Sequence, residues 1–151
     1  MSPTSCQLRR GRYSGTGHAY LLTVCCHQRH PLLQRECAAG IVLDSAQWLD
    51  QKGRMESLAV VVMPDHVHLV MRLTTEPLAT LMRSMKSFTA HEIKRALVRN
   101  EPVWQRGYHD RGLRDEKGIR AAVDYCLQNP VRAGLVDDFH QHPHWWCRWE
   151  V

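Results

Sequence analysis

Leu58-Ala-Val-Val-Val-Met63, Pro64-Asp65 and His66-Val-His-Leu-Val-Met-Arg-Leu73 are the stretch on which the fold turns. The first run is short, continuous and apolar, the pattern of a buried strand. Pro64-Asp65 interrupts it with turn chemistry. The second run then resumes as a strand, and two strands this close in sequence must pair as a hairpin. Along the second strand the period of two sets Val67, Leu69 and Met71 on one face and His66 and His68 on the other. The apolar row belongs to the core, so the two imidazoles stand side by side on the opposite face. Imidazoles so placed can ligate one divalent ion through their ring nitrogens. A pair of surface histidines on a half-exposed strand would give the same spacing, and with ten histidines in the chain the pattern also arises by chance. A histidine-triad nucleotide hydrolase is excluded, because it needs a third histidine where Val70 stands.

Working outward, residues 20–26 (Tyr-Leu-Leu-Thr-Val-Cys-Cys) are rich in apolar and β-branched side chains and read as a strand. Residues 37–51 carry Ala38, Ile41, Ser45, Trp48 and Leu49 at helical spacing, and Gly53 closes that helix. Residues 78–97 read as a long helix with Leu78, Leu81, Met82, Met85 and Phe88 along one side and Arg83, Lys86 and Lys94 on another. Residues 98–114 are irregular, with a short strand expected near Val103 or Leu113. Asp115 is an N-cap for a helix from 116 to about 128, which Asn129-Pro130 ends. The order β-α-β-β-α, followed by a strand and a helix, predicts an α+β domain with helices packed on one face of an antiparallel sheet. A ferredoxin-like split βαβ arrangement is the natural candidate. Residues 1–151 read as one domain, with a Trp- and His-rich tail over 137–151 whose Trp145, Trp146 and Trp149 cover the sheet rather than stack on bases.

The chain is long enough to bury a core without staples. Its apolar runs are strand-sized and its N-terminus is polar and basic, so neither a membrane span nor an export signal is expected. The six cysteines include no Cys-x-x-Cys pair, and adjacent Cys25 and Cys26 point to opposite faces of their strand. Reduced, buried thiols in a cytoplasmic protein are expected. The net charge of +5 is uneven: residues 1–30 hold four Arg and no acid, and residues 72–120 hold eleven Lys or Arg against six acids. Two separated basic segments suggest a polyanionic partner, although a solvated surface accounts for charge of this size equally well.

Tyr125 differs from the other three tyrosines. Its helix buries Ile119, Ala122, Val123, Cys126 and Leu127 at i, i+3, i+4, i+7 and i+8. At about 100° per residue, Tyr125 points roughly 130° from the centre of that stripe. Asn129, four residues on, shares its side of the helix. From the helix alone, a surface tyrosine and a C-terminal Asn cap are a better reading than a nucleophile beside a metal ligand.

Together these fragments resemble one family. Met-Pro-Asp-His-Val-His-Leu-Val (63–70) resembles the His-hydrophobe-His motif of single-tyrosine HUH transposases, and Tyr125-Cys-Leu-Gln-Asn-Pro-Val-Arg-Ala-Gly-Leu135 resembles their Tyr-x-x-x-Asn-Pro-Val-(Arg/Lys)-Ala-Gly-Leu signature. Gly11-Arg-Tyr-Ser14 with Gly17-His18-Ala-Tyr20, and Trp104-Gln-Arg-Gly-Tyr108 with Arg114-Asp-Glu116, are similar to further blocks. The nearest fit is the REP-associated tyrosine transposases, in the IS200/IS605-like superfamily, over about residues 9–136. Many relatives carry His two residues after the tyrosine, where this chain has Leu127 on its apolar stripe.

The resemblance implies a ferredoxin-like domain with both histidines on a central strand and the catalytic tyrosine on a C-terminal helix. It implies a metal-dependent endonuclease and strand transferase acting on single-stranded DNA of REP-type hairpins through a 5′-phosphotyrosine intermediate. Tyr125 would be the nucleophile, and His66, His68 and Asn129 would hold Mg²⁺ or Mn²⁺. Arg9, Arg10, Arg12, Arg83, Lys86 and Lys94 would meet DNA phosphates, and Trp104 and Tyr108 would stack on unpaired bases or pack their loop. A free phenol titrates near 10, so a metal or base must favour the phenolate; His109 and Glu116 are candidate bases by sequence proximity alone. A monomer is favoured over a homodimer. Two rivals stay open: a non-catalytic nucleic-acid-binding domain of the same fold, and a metal hydrolase that uses the histidines without a tyrosine.

Overall fold

The computed structural model describes residues 17–151. Its centre is a sheet of β1 (Ala19–Cys25), β2 (Met55–Val62), β3 (His66–Leu73), β4 (His109–Leu113) and β5 (Trp145–Cys147). The strand order is β4-β1-β3-β2-β5, and every pairing is antiparallel. The helices are α1 (Glu36–Gln51), α2 (Leu78–Leu97), α3 (Glu116–Leu127) and a single turn, α4 (Asn129–Arg132). The first four strands have the ferredoxin-like order, and β5 adds a fifth at the β2 edge.

The hairpin forms as its sequence dictates, with Met63 N–H bonded to His66 C=O at 2.8 Å across the Pro64-Asp65 turn. β2 starts earlier than the apolar run, at Met55, and its register slips between Ser57 and Ala59. That bulge places Leu58 and Ala59 in the same core cluster. β3 lies in the middle of the sheet, with β1 and β2 on either side.

The helices occupy both faces of the sheet, not one as expected. α1 and α2 cover the face that carries Leu22, Val60, Val67, Leu69 and Met71. α3 lays Ile119, Ala122, Val123, Cys126 and Leu127 on the other face, against Leu21, Ala59, Val61 and Val70. Val70 gives the reason: on the histidine face, β3 is apolar at its centre, and that patch needs a cover. Burying an aliphatic side chain of the size of Ile119, Val123 or Leu127 is worth about 1.5–3 kcal/mol, so these three, with the smaller Ala122 and Cys126, dock a helix of only three turns.

Local sequence fixes the helix ends. Asp115 caps α3, its carboxylate accepting from Gly118 N–H at 2.7 Å. Gly53, at φ 69°, follows α1. Pro130 does not force Asn129 out of helical geometry. α3 stops at Leu127 and the chain resumes as α4 with Pro130 in its first turn, where its missing N–H costs nothing.

The tail belongs to the fold. β5 pairs with β2, Trp146 packs toward the α1/α2 side, and Trp145 and Trp149 pack toward the α3 side. The described cysteines are all unpaired. Burial pushes the Cys26 thiol up to about 11 and the Cys126 thiol up to about 12. Cys37, against expectation, is exposed. Among the described residues no helix is long and apolar enough to cross a membrane.

Candidate active site

His66 opens β3 and His68 follows on the same face, opposite Cys25 and Thr23 of β1. Their ring centroids are 4.8 Å apart. Each ring is held through Nδ1. His66 Nδ1 meets Asp65 Oδ1 at 2.7 Å, and His68 Nδ1 meets Thr23 Oγ1 at 3.0 Å. Arg29 Nε donates to the other Asp65 oxygen at 3.0 Å, so the carboxylate bridges a guanidinium and an imidazole. Burial alone would raise the Asp65 carboxyl, but its bonds to His66 and Arg29 and their charge hold it below the usual range. His68 is buried, and its pKa falls from 6.5 to about 4: burial is the main cause, electrostatic repulsion from the His66 and Arg132 side chains adds to it, and a backbone bond to Leu22 opposes it. At neutral pH His68 is therefore the uncharged imidazole that a metal requires.

α3 brings the remaining groups. The Tyr125 ring, about half exposed, stands edge-on to His68 with centroids 5.9 Å apart. α4 swings Asn129 over the hairpin, so that its amide Nδ2 meets His66 Nε2 at 3.0 Å. Turning that amide over would bring Oδ1 to the same point. One chain thus gathers Tyr125, His66, His68 and Asn129, residues that lie up to 63 positions apart in the sequence.

The donor set fits a divalent ion. Among the described residues no group of three or more His, Cys, Asp or Glu converges as a metal cluster. Two imidazoles lie side by side and the Asn129 amide reaches His66, with Asp65 and Thr23 behind the rings as the orienting partners that ligating histidines use.

The residues expected to meet DNA fare differently. Arg9, Arg10 and Arg12 lie outside the described residues. Arg83, Lys86 and Lys94 sit on α2, which covers the face of β3 opposite the histidines. Lys86 is engaged internally, its ammonium donating to Gln105 C=O at 2.8 Å and also to Gly107 C=O. Trp104 Nε1–H donates to Thr89 Oγ1 at 3.0 Å, and Tyr108 is buried in the α1/α2 core. Trp104 and Tyr108 therefore pack their loop, the second of the two roles their spacing allowed. Arg83 remains exposed.

The face that carries the site has other basic side chains. Arg111 of β4 is in register with Leu21, and His109 with Thr23, which puts both on the histidine side of the sheet. His109 and His68 flank Thr23 in one cross-strand row, two strand spacings or about 10 Å apart. Glu116, the other candidate base, pairs with Arg72 near the far end of β3 from His66. Sequence reasoning missed four contributors. Asp65 had a visible signal, a carboxylate directly before His66. Arg132 is seven residues from Tyr125, two turns on. Thr23 and Arg29 gave none, since only pairing and chain reversal bring them in.

With that geometry in hand, the chain can be compared with known proteins. The family described as "Transposase IS200 like" matches residues 15–125. A Haemophilus influenzae protein named as a REP-associated tyrosine transposase is 27% identical over 103 residues, 59% of this chain and 57% of that protein. The matched part is thus little more than half of that relative's length. An uncharacterised H. influenzae protein is 22% identical over 166 positions, covering 84% of this chain and 87% of its own. Among solved structures, a REP-associated tyrosine transposase bound to a REP hairpin has a TM-score of 0.74 at 24% identity, covering 96% of this chain and 82% of that one. A Deinococcus radiodurans protein described as a transposase gives 0.55 at 24% identity, over 80% of this chain and 95% of its own. These two likenesses establish the fold.

Proposed function

The chain belongs to the IS200-like transposase family, enzymes that act on DNA, and from that premise we propose that it nicks and rejoins single-stranded DNA through Tyr125. The observation that carries this reading is the meeting, within one chain, of a half-exposed phenol, two oriented imidazoles and an amide. His66, His68 and Asn129 would hold Mg²⁺ or Mn²⁺, since two imidazoles and one oxygen leave positions for phosphate oxygens and water. When bound, such an ion supplies Lewis-acid polarisation of the scissile phosphate.

The remaining chemistry belongs to the side chains. Tyr125 Oη attacks phosphorus as its proton leaves, and a bond from the phenol oxygen to phosphorus forms. The bond from phosphorus to the 3′ oxygen breaks, and that oxygen keeps the electron pair and takes up a proton. The products are a 5′-phosphotyrosine and a free 3′-OH. Attack of a 3′-OH on the phosphotyrosine reverses the step and joins strands without an external energy source. Asp65 and Thr23 fix the imidazoles so that the three ligands keep their geometry through both steps.

The substrate in this reading is a REP-type hairpin with a single-stranded segment beside its stem, by analogy with the relative bound to such a hairpin. Phosphate contacts would come from Arg9, Arg10 and Arg12, from exposed Arg83, and from Arg111 on the site's own face. Because one chain holds the full set, a monomer suffices, acting in the cytoplasm. The test is incubation with a tailed hairpin oligonucleotide and Mn²⁺, followed by denaturing electrophoresis. A covalent protein–DNA species is expected from the wild type and is lost in Tyr125→Phe and His66→Ala. Cleavage that persists in Tyr125→Phe would instead mean a hydrolase that uses the histidines alone.

A further inference from the structure

The Tyr125 ring has a support that its helix does not provide. It lies off the buried stripe of α3, and about half of its surface faces solvent. A phenol in that position can exchange between staggered rotamers unless something outside the helix selects one. The guanidinium of Arg132 lies over the ring, its carbon 4.0 Å from the ring centroid. The same group donates through Nη2 to the backbone carbonyl of Tyr125 at 2.7 Å, in the last turn of α3 where the helix's own donors run out. One side chain therefore holds both the ring and the backbone of a single residue.

The hook that delivers Arg132 is itself fixed. Arg132 N–H bonds to Gln128 C=O at 2.9 Å, Ala133 N–H to Asn129 C=O at 2.9 Å, and Leu135 N–H to Pro130 C=O at 2.9 Å. Pro130 is buried beneath it, and Gly134 turns the chain at φ 75°. Asn129, on the same hook, reaches His66. The hook thus ties the position of the phenol to that of the ligand pair.

We infer that Arg132 is the positioning residue that holds Tyr125 facing His68 within its own chain. The inference rests on the reading of Tyr125 as nucleophile. Arginine suits the task because its planar fork can stack on a ring and donate in its own plane at once, which a lysine ammonium cannot reproduce.

Adduct formation under single-turnover conditions tests this, with a tailed hairpin oligonucleotide and Mn²⁺, in wild type, Arg132→Ala, Arg132→Lys and Tyr125→Phe. Misplacing a reacting group by an ångström costs about 10²-fold. Arg132→Ala is therefore expected to lower the rate at saturating DNA by about that factor, while the half-saturating DNA concentration moves by less than about threefold. Arg132→Lys should recover part of the rate. In ¹³C-tyrosine-labelled protein, the Tyr125 ring resonances, assigned by their loss in Tyr125→Phe, should shift in Arg132→Ala while the other tyrosines stay put. A saturating rate in Arg132→Ala within about twofold of wild type overturns the inference, as does a loss confined to half-saturation, which would make Arg132 a phosphate contact only. A wild type that forms no adduct, or an adduct that survives Tyr125→Phe, overturns the nucleophile reading and this inference with it. Dependence on Tyr125 without dependence on Arg132 overturns the inference alone.

Discussion

His68 shows how one residue serves both fold and chemistry. It fills a buried position on a central strand, and burial holds it uncharged down to about pH 4. The unfolded chain protonates the same imidazole near 6.5. Between these values the unfolded state binds a proton that the folded state refuses. The contribution to stability is therefore complete above about pH 6.5, declines as pH falls toward 4, and is flat below that. The difference amounts to something on the order of 3 kcal/mol. Urea unfolding of the metal-free protein across this range should show the decline, and His68→Asn should reduce its slope. Equal slopes in the two proteins would mean that His68 does not carry it.

Among the elements, α2 carries the clearest revision. Its basic residues look like a phosphate-binding strip, yet the helix covers the side of the sheet away from the histidines, and Lys86 turns inward to two loop carbonyls. Hydrogen bonds to a charged donor are worth about 1.5–3 kcal/mol. Lys86→Ala should therefore lower unfolding stability by about 2 kcal/mol and leave the salt dependence of DNA binding as it was. A loss of salt slope near 1, the value for one released phosphate contact, without a loss of stability would restore Lys86 to the DNA surface. Unfolding curves and binding isotherms at several salt concentrations separate the two results.

For the molecule as a whole, the tail decides where the sheet ends. β5 pairs with β2, and Trp145, Trp146 and Trp149 pack onto the two faces beside it. Stopping the chain after Asp138 would strip that pairing from β2, one of the most apolar strands in the sheet, and leave an unpaired apolar edge. The truncated protein is expected to unfold several degrees lower and to associate, by thermal melt and size-exclusion chromatography. A truncated protein that stays monomeric with the wild-type melting temperature would show the tail to be dispensable to the fold.

Periodicity alone made much of this protein legible. The alternation of Val67, Leu69 and Met71 with His66 and His68 fixed which face of β3 each side chain takes, because a strand has no other way to distribute its side chains. The helical stripe from Ile119 to Leu127 likewise turned Tyr125 away from the core, and Asp115 marked where that helix begins. These are properties of neighbours along the chain. Sequence periodicity gives each element an inside and an outside but not the partner it meets. It therefore did not reveal that α3 lies on the face opposite α2, that Lys86 points inward, that the tail extends the sheet, or that Thr23, Arg29 and Arg132 gather at the histidines. The tertiary structure decided these, because each depends on contacts between segments far apart in sequence, made only when apolar faces on separate elements are buried together. The meeting of Tyr125 with His68 has both origins: the sequence turned the ring outward from its helix, and the packing of that helix on β3 aimed it.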